Sequence, residues 1–91
     1  MMTIEKIIGI LSEMLAERPG LGTVQKWNCG EAPYCFEIFQ EGAGHGFATS
    51  LGRVMLSARE IVGFNNASDE ALRDLMRPKV DAILQASGVA L

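Results

Sequence analysis

Apolar residues return every three to four positions over residues 3–18, at Ile4, Ile7, Ile8, Leu11 and Leu15. That spacing lines one face of a helix with 3.6 residues per turn, so it predicts an amphipathic helix. Thr3 stands where a hydroxyl can accept a bond from a free amide of the first turn, and Pro19-Gly20 stops the helix. The charged residues Glu5, Lys6, Glu13, Glu17 and Arg18 fall mostly on the other side.

The period then shortens to two. Residues 23–29 and 34–41 read as strands joined by the turn sequence Gly30-Glu31-Ala32-Pro33, which makes a β-hairpin. In the second strand Tyr34, Phe36 and Ile38 share one face, and Cys35, Glu37, Phe39 and Glu41 share the other. The first strand alternates less cleanly: Val24 and Trp27 differ in parity and can share a face only across a bulge. Three glycines punctuate Gly42-Ala43-Gly44-His45-Gly46, and residues 47–49 read as either a brief third strand or a connector.

A second helix is expected over residues 50–63. Leu51, Val54, Met55, Ala58, Ile61 and Val62 fall within an arc of about 120° on a helical projection. Thr49 or Ser50 can cap its start, and Gly63 suits its end. A rival assignment rests on Ser57-x-x-Glu60, a capping-box pattern that would make residues 53–56 a strand and begin a shorter helix at Ala58. The periodicity favours the long helix. The last helix starts after Ser68, presents Leu72, Leu75, Met76, Val80, Ile83 and Leu84, and stops at Gly88. Pro78 should kink or split it, because its ring clashes with the carbonyl four residues back. Asp69/Arg73 and Arg77/Asp81 are four apart and can pair along the helix surface.

These elements predict an α+β fold in the order α-β-β-α-α, a hairpin packed against three helices in one domain spanning residues 1–91. Its core should include Ile7, Ile8, Leu11, Phe36, Ile38, Val54, Met55, Val62, Leu72, Leu75 and Ile83. A chain of this length has room for one core.

Composition narrows the function classes. Hydrophobic residues make up 48% and charged residues 21%, enough apolar surface to offset chain entropy. The formal charge of −3 comes entirely from residues 1–48, and residues 49–91 balance. Neither half carries the basic excess that phosphate neutralisation needs, which argues against nucleic-acid binding. Charges interrupt the first apolar stretch at Glu5, Lys6 and Glu13, so it does not read as a signal peptide, and no run reaches the length of a membrane span. Cys29 and Cys35 make no disulfide framework and are expected as two reduced thiols, at least one of them in the core. A cytoplasmic setting follows from that expectation.

Candidate chemistry is sparse. With a helix expected to open at residue 50, the segment Gly42, Gly44, His45, Gly46, Thr49 and Ser50 could wrap a phosphate or carboxylate with free amides and the helix dipole. It lacks the Gly-Lys-Ser/Thr ending of a phosphate-binding loop and the spacing of a dinucleotide fingerprint. His45 is the one histidine and sits in this glycine-rich loop, and the Cys-x5-Cys spacing is neither the redox motif nor that of a zinc site. Residues 48–52 echo a nucleophile elbow, but no histidine follows to activate Ser50. No catalytic set, metal site or cofactor is assigned.

The hairpin itself points elsewhere. Two strands alone leave two unpaired edges. Phe39 lies between Glu37 and Glu41 on the face opposite Phe36, with Trp27 close by. Helices covering one face only would leave Phe39 for a partner. The expected function is a non-enzymatic protein-interaction module, a homodimer through the hairpin face or edge. An anionic-ligand domain built on residues 42–50 and a small inhibitor or adaptor docking on a larger complex are the alternatives.

Overall fold

Thr3 opens the first helix as expected, its hydroxyl accepting a hydrogen bond from the Lys6 amide at 3.1 Å. The computed structural model describes residues 2–26, 30, 32–42 and 48–88. Helix α1 spans Ile4–Leu15 and buries Ile7, Ile10, Leu11 and Leu15. Strand β1 covers Leu21–Gln25, β2 covers Tyr34–Glu41 and β3 covers Ala48–Leu56. Helix α2 is a short segment at Ala58–Gly63, and α3 runs over Asp69–Ser87. The fold is α+β: the described residues form three helices and a sheet of three antiparallel strands in the order β1-β2-β3.

The expectation for residues 50–63 is corrected. They do not form one helix. Residues 48–56 are a full edge strand, and the helix begins after Ser57, as the rival assignment required. The Ser57 hydroxyl accepts from the Glu60 amide at 3.1 Å, while Glu60 Oε1 accepts from the Ser57 amide at 3.0 Å. This reciprocal cap fixes the helix start locally. Ahead of it, Val54 and Leu56 turn inward opposite Phe36 and Tyr34, while Arg53 and Met55 turn outward. The helical arc had placed Met55 and Val62 in the core. They are instead 48% and 78% exposed.

Strand β1 starts at Leu21 and ends at Gln25, earlier than the expected 23–29, with Trp27, Asn28 and Cys29 outside the described residues. Helix α3 continues through Pro78 without splitting. Pro78 and Asp74, whose carbonyl loses its amide partner to the ring, are both exposed, where water can satisfy that oxygen. Ser68 caps the start by accepting from the Ala71 amide, and Gly88 ends the helix in the left-handed conformation at φ 79°.

Helix α1 packs on β1, α3 packs on β3, and the two helices touch each other. The core lies between this helical layer and one face of the sheet. Phe36, Ile38, Val54 and Leu56 from the strands meet Ile7, Leu11 and Leu15 of α1 and Leu72, Met76, Val80 and Leu84 of α3. Of the other residues expected there, Ile8, Leu75 and Ile83 pack at its margin. Tyr34 meets Phe36 edge to face, their ring centres 6.4 Å apart. Asp69 and Arg73, expected to pair along α3, do act on each other electrostatically, but each also makes an ion pair across the helix–helix seam. Lys6 Nζ lies 2.9 Å from Asp69 Oδ1, and Arg73 Nη2 lies 2.6 Å from Glu13 Oε2.

Candidate functional site

The sheet has two faces, and the register assigns every strand residue to one of them. On the helix side Leu21, Thr23 and Gln25 of β1 lie opposite Gln40, Ile38 and Phe36 of β2. On the other side Gly22 and Val24 lie opposite Phe39 and Glu37, which in turn neighbour Ser50 and Arg53 of β3. Val24 is 44% exposed and Met55 48%, so this second face is only partly covered.

Glu37 sits at its centre and is half-buried. Its carboxylate lies 3.5 Å from Lys26 Nζ on one flank and 4.0 Å from Arg53 Nε on the other. The Ser50 hydroxyl donates to it and is the largest influence holding its pKa below the usual carboxylate value. Partial burial opposes this, and the cations Lys26 and Arg53 assist it. Ser50 is therefore a strand residue serving Glu37, not a helix cap. Glu41, expected beside Glu37 on this face, is exposed at the end of β2, opposite Ala48.

Phe39 is less open than the sequence suggested. Its ring lies across Gly22 of the neighbouring strand, so close that a Cβ at Gly22 would fall 2.6 Å from Phe39 Cζ. The glycine leaves a floor for the aromatic ring, as aromatic residues do beside glycines on sheet edges. The sequence did not place Val24 or Met55 beside Phe39, and Met55 was expected in the core. Only the register places them on the face of Phe39.

A one-residue bulge interrupts β3. Ile38 pairs with Gly52 and Phe39 with Ser50, which leaves Leu51 as the extra residue. Gly52 has φ 154°, and a Cβ there would meet Ile83 Cγ2 of α3 at 3.0 Å. Glycine is needed at this point for both its backbone angle and the close approach of α3.

The helix expected after the glycine-rich segment is replaced by strand β3. Gly42 is exposed, residues 43–47 including Gly44, His45 and Gly46 lie outside the described residues, and Thr49 and Ser50 belong to β3. No helix opens at residue 50, so the helix-dipole argument for an anion there falls. Cys35 is buried and disulfide-bonded, which corrects the expected reduced thiol and removes the ground for a reducing compartment. The chain's other cysteine, Cys29, lies outside the described residues.

A cleft of about 350 Å³ opens between α1 and α3, lined by Glu13, Met14, Glu17, Arg18, Arg73, Arg77 and Asp81. Sequence reading missed it because the lining comes from helices distant in the chain. Its three guanidinium groups face three carboxylates, and Arg73 is already bound to Glu13. The cleft thus offers little net charge to a ligand. Among the described residues no group of three or more potential ligands is gathered for a metal, and no helix is long and apolar enough to cross a membrane.

The fold and site define a small α+β protein with a helical layer on one sheet face. Comparison with models of protein families, with curated proteins and with solved structures found no match.

Proposed function

We propose that this protein is a protein-interaction module that associates with a second copy of itself through the part of the sheet its own helices leave uncovered, either the outer face or an edge. The observation carrying this reading is the one-sided packing of α1 and α3, with Val24 and Met55 exposed on the opposite face. Exposed apolar residues beside an unpaired strand edge are the usual raw material of strand addition and sheet stacking. A two-fold arrangement matches such a surface to itself without leaving an open end.

Val24 is the residue to change, because it is exposed and borders both the outer face and the β1 edge. Sedimentation equilibrium across a range of concentrations should show a dimer for the wild type. Val24→Lys should weaken it by roughly tenfold or more, the loss expected for one desolvated aliphatic contact of about 1.4 kcal/mol. A wild-type chain that stays monomeric at the highest concentrations would overturn self-association and direct the search to a foreign partner, as for an adaptor or inhibitor.

A further inference from the structure

Resting on that reading, we infer that the two copies join along β1, antiparallel, about a two-fold axis at Thr23, so that their sheets become one continuous sheet.

The backbone of β1 supplies the first argument. The Lys26 amide donates to the Cys35 carbonyl and the Glu41 amide to the Gly20 carbonyl. In an antiparallel ladder the bonded pairs alternate. Even-numbered residues of β1 therefore turn their amides and carbonyls toward β2, and Thr23 and Gln25 turn theirs outward. A second β1 with Thr23 facing Thr23 of the other copy would exchange two backbone hydrogen bonds at the axis and add one from each Gln25 amide to the Leu21 carbonyl of the other copy, the Leu21 amide already donating to the Arg18 carbonyl.

Side chains agree with this register. It sets Val24 opposite Gly22 of the other copy, where no side chain intrudes and the Phe39 ring already lies. Val24, exposed in the single chain, would then rest against that ring. On the helix side the Thr23 hydroxyl is buried with no hydrogen-bond partner. Such a group is costly when left alone, because it has given up its hydrogen bonds to water. Threonines directly opposite each other on neighbouring strands bond through their hydroxyls. Rotation about the Cα–Cβ bond would bring both Thr23 hydroxyls to the axis.

Helix α1 must also tolerate its counterpart, since it packs over β1. The ion pairs of Lys6 and Glu13 with α3 mark the flank of α1 that faces α3. The other flank, above the outer edge of β1, carries Ile8, Ser12 and the exposed Glu5, with Ala16 and Gly9 further round. Ser12, Gly9 and Ala16 are exposed and small, so a second helix can approach closely. The β3 edge lacks these features. It carries the bulge at Leu51 and the exposed Arg53, both devices that discourage pairing.

Amide hydrogen exchange of the full chain, read residue by residue by NMR above and below the association midpoint, tests this pairing. The Thr23 and Gln25 amides should slow by about tenfold or more on association, while Val24, bonded to β2 in either state, should change little. Two variants extend the test. Thr23→Pro removes an outward amide, which edge strands accept, together with the hydroxyl at the axis, and Ser12→Arg changes an exposed helix position. Each should give a folded monomer, and Met55→Lys, on the far strand, should still dimerise. A dimer whose Thr23 and Gln25 amides exchange equally at both concentrations would overturn edge pairing. So would a dimer weakened by Met55→Lys and not by Ser12→Arg, and self-association through the outer face would then remain. A wild type that is monomeric throughout would overturn both readings.

Discussion

Gly52 is where a single residue carries the most consequence. Its φ of 154° lies in a region that residues with a Cβ rarely enter, and Ile83 leaves little room for one. Gly52→Ala should therefore lower stability by about 2–4 kcal/mol, combining backbone strain with overpacking. Urea denaturation of the single variant, Ile83→Ala and the double variant separates the two causes. Removing the Ile83 side chain should recover only part of the loss, because the backbone angle remains. Full recovery would mean that crowding alone set the requirement for glycine. Phe39 shows the same economy of space from the other face: the ring needs Gly22 bare, so the residue that looked free from the sequence already has a seat within its own sheet.

At the scale of elements, caps and period agree in some places and compete in others. Helices α1 and α3 were legible because apolar spacing, Thr3, Ser68 and Gly88 all give the same limits. Strand β2 was legible from the alternation of Phe36 and Ile38 with Cys35 and Glu37. Residues 51–62 were misread because Leu51, Val54, Met55, Ile61 and Val62 satisfy a helical arc while Val54 and Leu56 also satisfy a strand. The short-range signal decided the outcome. A reciprocal cap at Ser57 and Glu60 needs only four residues, and pairing with β2 then favours an extended chain before it. Parity also placed Phe39 and Glu37 on one face of the site. Val24, Lys26, Arg53 and Met55 join them through strand register, which is set by contacts between distant segments and leaves little local trace. Because so much rests on that cap, Ser57→Ala should cost about 1 kcal/mol in thermal or urea unfolding. The variant keeps the backbone amide from which Glu60 accepts, so by NMR Glu60 should still titrate below its ordinary value; a return to that value would show that the amide bond, with Lys79 3.1 Å away, does not hold without the Ser57 hydroxyl.

For the whole molecule, acid is the revealing stress. Glu37, Glu60 and Asp69 all have pKa values lowered in the fold, chiefly by the Ser50 hydroxyl, the Ser57 amide and Lys6 respectively. A lowered folded-state value means that the unfolded chain binds protons first as pH falls. The stability these groups contribute is fully present above their ordinary values of 4.5, 4.5 and 3.8, and it is lost as pH drops through the lower folded values. Calorimetry from neutral pH to about pH 3 should show the unfolding temperature holding steady and then falling below about pH 4.5. A flat profile would mean that the hydrogen bonds and ion pairs of these carboxylates add nothing to stability. The bulge in β3 has a last effect, on changes of chain length. Loss of Leu51 would simply straighten the strand, keeping Ser50 beside Phe39 and Gly52 beside Ile38. Loss of Met55 would instead shift the phase of everything before it, turning Arg53 into the core and Val54 out to water. The spare residue thus acts as slack in the ladder, absorbing a deletion at one end of β3 that the other end could not survive.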